Sequence, residues 1–282
     1  MPLFTPDQVV AAAQLACLLE VSAEKPGNVT PTRSFPDLTY EDFLRSAVAL
    51  GPEMARAGER GVGETILAAV VATRRWTRTN VNLGIVLLFA PLAKAALMDG
   101  RDLRSNLGVV LRALTKEDAR AAYAAIRLAE PGGLGTGVEH DVRREPTVTL
   151  REAMASAVKR DTIAAEYLSD YAITFEQGVP ALARALNRGA DVRQAVVQTF
   201  LELLASVPDT LIARKQGMTV ARQVSAEAAE ALRAGGIFRA SGRQAIAALD
   251  ARLRGNGNRL NPGTTADLVA ATLFVALLEG LL

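Results

Sequence analysis

The sequence predicts an all-α protein: a single compact multi-helical domain over residues 1–282, with roughly ten to twelve helices. Three observations favour this fold class. A capping box, in which a Ser or Thr is followed three residues later by an acidic residue or Gln, recurs before apolar residues at helical spacing. Strand-like alternation of polar and apolar residues is nearly absent. No linker is long enough to divide the chain.

The capping boxes predict where helices begin. The first, Thr5 with Gln8, has Pro6 at the first helical position, and this helix should end near Glu24 because a proline and a glycine follow. The pattern recurs at Thr39 and Asp42, Thr115 and Asp118, Thr149 and Glu152, Ser241 and Gln244, and Thr264 and Asp267. The last box leads into an apolar terminal helix. Further helices are predicted over residues 62–76, 81–98, 162–187, 191–206 and 218–234.

Charge and composition exclude several classes of protein. The 32 basic and 30 acidic residues give a net charge of +2, which does not favour a nucleic-acid partner. The single cysteine, Cys17, excludes a disulfide framework and a cysteine-based zinc site. The apolar tracts 85–96 and 268–282 are shorter than the ~20 residues of a membrane span, and no secretory signal is present. We therefore expect a cytoplasmic protein that has no membrane partner and can form a homodimer.

A glycine-rich loop lies within residues 130–148. Its glycines, between Gly132 and Gly137, follow no strand, and their spacing matches neither the dinucleotide fingerprint nor the P-loop. A phosphate cradle and a mobile lid are both open interpretations. The loop also contains His140, the only histidine of the chain, so a His-rich metal site is excluded; a solvent-exposed loop position is its simplest interpretation.

Polar stretches interrupt the apolar helical pattern at four helix ends. They are Glu20 with residues 25–28, residues 79–84, residues 208–210 with Arg214 and Lys215, and residues 261–267. Buried amides and carboxylates need partners, which either a ligand or a neighbouring helix end can supply. Glu64, near the start of a predicted helix, is a further candidate. Each of these residues can also be an ordinary cap or a solvated helix residue.

Two aspartates suggest a nucleotide site. Asp209 follows a very apolar helix, so it should be carried inward, where a carboxylate needs a cation. One interpretation is an ion pair with Arg214 or Lys215. The other is a magnesium-nucleotide site, in which Asp209 and Asp267 hold Mg²⁺ and the basic pair contacts phosphates. The helix start near Thr264 can itself bind an anion.

Taken in order, these stretches resemble the triphosphoribosyl-dephospho-CoA synthase family. The segments that carry the resemblance are EVSAEKPGN at residues 20–28, TNVNLG at 79–84, Asp209-Thr210, and NPGTTADL at 261–268. The resemblance implies an all-α transferase that uses ATP as a substrate. In this family the 2′-hydroxyl of dephospho-CoA attacks the anomeric carbon of the ATP ribose, adenine leaves, and the triphosphate stays on the sugar. The product is the precursor of an acyl-carrier-protein prosthetic group.

The resemblance also implies roles for individual residues. Cleavage of a glycosidic bond needs a carboxylate near the anomeric carbon, a base for the incoming hydroxyl and a hydrogen-bond donor for the leaving base. Glu20, Asp209 and Asp267 are the catalytic candidates, and the two aspartates are the candidate Mg²⁺ ligands. The candidates for binding ATP and the acceptor are Lys25, Asn28, Glu64, Thr79, Asn80, Asn82, Gly84, Thr210, Arg214, Lys215, Asn261, Gly263, Thr264 and Thr265.

Two departures from the family pattern leave the acceptor open. Val81-Asn82-Leu83 replaces a threonine-histidine-lysine run, and Asn28-Val29-Thr30 lacks the usual aspartate. One alternative is therefore a related ribosyl or nucleotide transferase that acts on a different coenzyme precursor. The other is a non-catalytic helical binding protein, in which every polar motif is a cap or an ion pair.

Overall fold

The described part of the chain, residues 1–131 and 140–282 of a computed structural model, is built from helices. Within these ranges there are no strands, only isolated bridges such as Thr30 with Arg33. The helices are α1 (Pro6–Ser22), α2 (Tyr40–Ala55), α3 (Val62–Arg74), α4 (Leu83–Ala96), α5 (Leu103–Arg112), α6 (Lys116–Ala129), α7 (Leu150–Ala157), α8 (Thr162–Leu168), a π-helical turn (Ile173–Gly178), α9 (Val179–Asn187), α10 (Val192–Ser206), α11 (Thr210–Gln216), α12 (Met218–Arg233), a 3-10 turn (Gly236–Phe238), α13 (Ala240–Leu253), α14 (Gly255–Asn258) and α15 (Gly263–Leu278). The all-α prediction is confirmed, although the described helices exceed the predicted number.

Two apolar helices form the centre of the core. Every residue of α4 except Gly84 and Lys94 is buried, and α15 is buried along most of its length. The rings of Phe89 and Phe274 join the two helices at a centroid distance of 4.5 Å. Helices that are apolar around their whole circumference belong in a protein interior. In the described ranges no single helix is long and apolar enough to cross a bilayer, and only the bent pair α10 and α11 passes that test together.

Four of the predicted capping boxes are confirmed, at Thr5, Thr39, Thr115 and Thr149. The boxes predicted at Ser241 and Thr264 are wrong. The N-cap of α13 is Arg239, two residues before the predicted cap, and the Ser241 hydroxyl donates to the carbonyl of Ala234 at 2.7 Å. Helix α15 begins at Gly263 without a side-chain cap, so Thr264 and Asp267 lie inside its first turns. Both side chains are therefore available for other contacts.

The single helix predicted over residues 162–187 is broken into α8, the π-helical turn and α9. Asp170 and Tyr171 adopt left-handed backbone conformations, with φ of 50° and 59°. The buried carboxylate of Glu166 accepts hydrogen bonds from the amides of Ile173 (2.8 Å) and Thr174 (3.3 Å), which start the turn. A side chain thus replaces the helical acceptors at the break, and helical periodicity alone did not reveal it.

The break places two tyrosines against a proline in α4. Pro91 has no N–H, so the carbonyl of Leu87 lacks its usual helical donor. The hydroxyl of Tyr167 donates to that carbonyl at 2.6 Å, and the hydroxyl of Tyr171 donates to the next one, Leu88, at 3.0 Å. Both tyrosines are fully buried. The side chains of one helical segment therefore complete the backbone hydrogen bonding of another.

Replacing Tyr167 by Phe should destabilise the fold by about 1–3 kcal/mol, because it leaves a buried carbonyl without a donor. In a Pro91→Ala background the loss should be smaller, since alanine at this position supplies the missing N–H. Urea denaturation of the four proteins measures this coupling. Tyr40→Phe is the control, because the Tyr40 hydroxyl contacts Ser22 and not α4. An equal cost of Tyr167→Phe in both backgrounds contradicts the account.

Glu166 should make the fold less stable as pH rises. Burial raises the pKa of Glu166 from 4.5 to about 7, despite the two amide hydrogen bonds. Between these values the folded protein keeps a proton that the unfolded chain has lost, so this contribution falls across that window by about 3 kcal/mol. Denaturation at pH 5 and pH 8 should show a smaller pH dependence for Glu166→Gln than for the parent protein. If Glu166→Gln has the same pH dependence as the parent protein, Glu166 is not the group responsible. Glu64→Gln, at an exposed position, is the control.

Candidate functional site

A cavity of about 960 Å³ opens where the first turns of four helices meet. These helices are α4, α8, α11 and α15, which contribute Gly84, Ile163, Leu211 and Thr264 to the wall. The end of α1, the segment before α2, the segment between α3 and α4, the end of α6 and α7 also contribute to the wall. Because a helix carries partial positive charge at its N-terminus, the starts of the longer helices α4 and α15 favour a bound anion.

The cavity wall carries many charged groups and three aromatic rings. The basic residues are Arg74, Arg78, Arg160, Arg214 and Lys215; the acidic residues are Glu20, Asp37, Glu130, Asp141, Asp161 and Asp267; the rings are Phe35, Phe43 and Tyr123. Guanidinium and ammonium groups suit phosphates, and the rings suit a purine. The wall can therefore receive a nucleotide.

Asp267 is an unpartnered carboxylate in this wall. Among the described residues, no hydrogen-bond donor and no cation contacts it. Burial raises the pKa of Asp267 well above its ordinary range, and the carboxylates of Glu20, Asp209 and Asp161 add to the rise, which Arg214 opposes. A carboxyl group in this setting favours its neutral form.

The position of Asp267 depends on Gly84. A Cβ atom at Gly84 would lie 2.0 Å from Oδ2 of Asp267 and 2.8 Å from Cδ1 of Ile163. Only a residue without a side chain leaves the carboxylate this space. The polar stretch at residues 79–84 therefore contacts the first turns of α15 through Gly84.

Glu20 is the second wall carboxylate, and its surroundings differ. Its Oε1 lies 3.0 Å from Nζ of Lys25, and both side chains are buried. The ammonium also donates to the backbone carbonyls of Glu20 and Ala23, so its three donors are used. Burial raises the pKa of Glu20, and the Lys25 ammonium opposes that rise. Lys25 does not line the cavity, which contradicts its predicted contact with phosphate or ribose.

Asp209 joins α11 to α15. Its Oδ1 accepts from the amides of Leu211 (2.9 Å) and Ile212 (3.0 Å), and its Oδ2 accepts from the amide (2.7 Å) and hydroxyl (2.8 Å) of Thr265. Burial raises the pKa of Asp209, and these hydrogen bonds oppose the rise. Asp209 and Thr265 are buried and do not line the cavity.

The predicted Mg²⁺ site at Asp209 and Asp267 does not fit this geometry. Both oxygens of Asp209 already accept two hydrogen bonds each, so no lone pair is directed at a shared ion. In the described ranges, no three His, Cys, Asp or Glu side chains form a group that could hold a metal ion. The structure gives Asp209 a structural role instead of the predicted catalytic one.

A threonine cluster lies beside Asp209. The hydroxyl of Thr210 is 3.2 Å from that of Thr264 and 3.3 Å from both the amide and the hydroxyl of Thr162. Thr264 reaches the cavity, whereas Thr210 is buried behind it. The cluster thus fixes the starts of α8, α11 and α15 relative to one another.

Residues 27, 28 and 261 form a second junction. The Asn261 amide donates to the carbonyl of Gly27 at 2.8 Å and to Oδ1 of Asn28 at 3.2 Å. Gly27 has φ of 71°, and a Cβ there would lie 2.7 Å from Cβ of Leu253. Asn28, Asn261 and Gly263 line the cavity, and their roles in binding stay predictions.

Within the stretch 79–84, the side chains have separate roles. Thr79, Asn80 and Gly84 line the cavity, and Oδ1 of Asn80 accepts from the amide of Leu83 at 3.1 Å at the start of α4. Asn82 is buried outside the wall, and its Nδ2 has no hydrogen-bond partner among the described residues. The hypothesis of a wholly ligand-facing motif is therefore wrong for Asn82.

The basic pair of α11 lies in the wall, but Arg214 does not pair with Asp209. Its Nη1 donates to Oδ2 of Asp161 at 2.9 Å, and Oδ1 of Asp161 caps α8 through the amide of Ile163. Burial lowers the pKa of Lys215, and Arg214 also lowers it, while the carboxylates of Asp209 and Asp37 oppose this.

Sequence patterns missed several wall residues, and six of the predicted site residues do not line the cavity: Lys25, Glu64, Asn82, Asp209, Thr210 and Thr265. Glu64 lies on an exposed position of α3, away from the cavity, so it is left out of the site. Asp161 carried a recognisable signal, because an aspartate before an apolar helix is a typical N-cap. No comparable sequence signal marks the aromatic wall residues Phe35, Phe43 and Tyr123. The predicted glycine-rich loop, Gly132 to Gly137, lies outside the described residues, whereas His140 lines the cavity and its carbonyl accepts from the Tyr123 hydroxyl at 2.7 Å.

Comparison with known proteins shows a family match along nearly the whole chain. The CitG family model, described as ATP:dephospho-CoA triphosphoribosyl transferase, matches residues 6–282. A 2-(5''-triphosphoribosyl)-3'-dephosphocoenzyme-A synthase from Klebsiella pneumoniae is 35% identical over 267 residues, which cover 93% of this chain and 82% of the relative. A relative from Malonomonas rubra, provisionally given the same name, is 26% identical over 96% of this chain and 88% of its own length.

A solved structure agrees with these sequence matches. It is a crystal structure of a protein from Archaeoglobus fulgidus that is provisionally assigned as a triphosphoribosyl-dephospho-CoA synthase. It matches this chain with a TM-score of 0.66 and 30% identity, over 84% of this chain and 99% of the other. The resemblance found in the motifs is thereby confirmed. The chain belongs to the ATP:dephospho-CoA triphosphoribosyl transferase family.

Proposed function

We propose that this protein transfers the triphosphoribosyl group of ATP to the 2′-hydroxyl of 3′-dephospho-CoA and releases adenine. The observation that carries the proposal is the unpartnered Asp267 carboxylate in the wall of a cavity formed by helix starts. Transfer between a nitrogen and an oxygen at an anomeric carbon needs carboxyl groups beside the reacting atoms. The family match supports the same activity.

Both substrates suit the charges of the wall. ATP and dephospho-CoA are polyanions, and Arg74, Arg78, Arg160 and Lys215 are positioned in the wall to receive phosphates. The positive ends of the α4 and α15 dipoles add to this attraction for phosphates. Thr79, Asn80, Asn28, Asn261 and Thr264 supply polar contacts for ribose and base.

Magnesium enters this proposal with the substrate. The Asp209 oxygens are saturated by hydrogen bonds, so Mg²⁺ is carried on the ATP triphosphate, which it binds through phosphate oxygens. The protein's own part is to bind the phosphates around it. The cytoplasmic location and the homodimer stay predictions from composition.

Adenine release tests the activity directly. The protein is incubated with Mg²⁺ and ATP, with and without dephospho-CoA, and free adenine is measured by chromatography. We expect adenine only when dephospho-CoA is present. Adenine only with another hydroxyl-bearing coenzyme precursor supports the related transferase, and absence of nucleotide binding supports a non-catalytic protein.

The two aspartates should respond differently to the same substitution. Asp267→Asn should lower the rate of adenine release about 100- to 10,000-fold with little change in stability, because no group in the described structure depends on its charge. Asp209→Asn should destabilise the fold by about 1–3 kcal/mol, because its new NH₂ group opposes a donor such as the Thr265 amide. Thermal unfolding and adenine release together check the pair. A stable, fully active Asp267→Asn protein contradicts the assignment.

A further inference from the structure

We infer that the two wall carboxyl groups divide the proton transfers of the reaction: Asp267 donates a proton to the leaving purine, and Glu20 accepts the proton of the attacking hydroxyl. This inference rests on the proposed function and specifies its chemistry. It also makes Gly84 and Lys25 positioning residues, since each fixes the state of one carboxyl group without taking part in the proton transfers.

The geometry around Glu20 supports its charged form, because the Lys25 ammonium opposes the rise in pKa that burial causes. The Lys25 ammonium lies 3.0 Å from Oε1, and its other two donors are held by backbone carbonyls, so the cation cannot move to a substrate. Glu20 nevertheless lines the cavity. Glu20 thus has a fixed cation beside it and lines the cavity, so its carboxylate can receive a proton from a bound substrate.

The geometry around Asp267 favours the opposite state. The charged and titratable groups that face it are Glu20 and Cys17 on α1, Asp161 before α8, and Asp209 and Arg214 at α11. Three of these five are carboxyl groups. The one cation, Arg214, donates to Asp161 at 2.9 Å. On the α4 side, Asp267 packs against the backbone of Gly84, where a Cβ would lie 2.0 Å from its Oδ2.

Two carboxyl groups whose surroundings separate their protonation states can act as an acid and a base in one step. The bond between C1′ of the ribose and N9 of adenine breaks, and its electron pair goes to the purine. The Asp267 proton neutralises the purine, at N7. The acceptor oxygen bonds to C1′, and its proton goes to Glu20. Return of that proton from Glu20 to Asp267 restores the enzyme, so no other reactant is needed.

An ATP analogue methylated at N7 separates the two roles. Its purine already carries a positive charge and leaves as a neutral base without protonation. We expect Asp267→Asn to release adenine from ATP about 100- to 10,000-fold more slowly than the parent protein. With the methylated analogue and dephospho-CoA, its rate should return to within about tenfold of the parent rate. Glu20→Gln should be slow with both nucleotides.

Gly84→Ala tests the positioning role, with Gly255→Ala as the matched control. A Cβ at Gly255 meets no atom within 4 Å, so this control should match the parent protein with both nucleotides. Gly84→Ala displaces the Asp267 carboxyl group and should behave as Asp267→Asn does: slow with ATP and restored with the methylated analogue. A variant that is slow only because it is poorly folded is slow with both.

The outcomes separate this inference from the proposed function. If the parent protein releases no adenine from ATP with dephospho-CoA, the proposed function fails. If the parent is active, three results with the methylated analogue show that the division of roles is wrong. The analogue restores Glu20→Gln alone, it restores Asp267→Asn and Glu20→Gln equally, or it restores neither of these two variants. Restoration of Asp267→Asn and Gly84→Ala alone supports it. Rates with the analogue are corrected for its hydrolysis without enzyme.

Discussion

The Asp209 carboxylate is the interaction on which the site depends. It accepts hydrogen bonds from the starts of two helices, α11 and α15, and each helix then presents a different group to the cavity. Arg214 lies one turn along α11, and Asp267 lies two residues after Thr265 in α15. A buried carboxylate costs stability unless its lone pairs are filled, and here four donors fill them. One of the three residues that sequence patterns suggested for catalysis thus joins the starts of α11 and α15.

The electrostatics of the cavity follow from which carboxylates have cations. Asp161 has Arg214, Glu20 has Lys25, and Asp209 has helix amides and a threonine. Among the residues that the structure describes, Asp267 has no such partner, and three of the four charged groups that act on it are carboxylates. Protonation is the usual way in which a protein relieves such a charge. A site that must supply a proton to a poor leaving group gains from a carboxyl group held in this state.

Sequence patterns predicted the fold class well because repeated caps and helical periodicity report local structure. They failed where a distant contact overrides a local pattern. Thr264 and Asp267 have the spacing of a capping box, yet Thr264 contacts Thr210 of α11 and Asp267 packs against Gly84 of α4. The break at Asp170 depends on Glu166 and on a carbonyl orphaned by Pro91, and neither is visible in a helical pattern. The motifs located part of the wall, whereas the roles within it depended on hydrogen-bond partners that only the fold brings together.

The central claim is that the surroundings of Asp267 favour its neutral carboxylic acid, whereas the Lys25 ammonium favours the charged form of Glu20. Difference infrared spectroscopy tests it without turnover, because the carbonyl stretch of a protonated carboxyl group is separate from the carboxylate bands. The spectrum of the parent protein minus that of Asp267→Asn at pH 7 should contain a protonated carboxyl band. The corresponding difference with Glu20→Gln should contain carboxylate bands. A carboxylate signal for Asp267 would contradict the account.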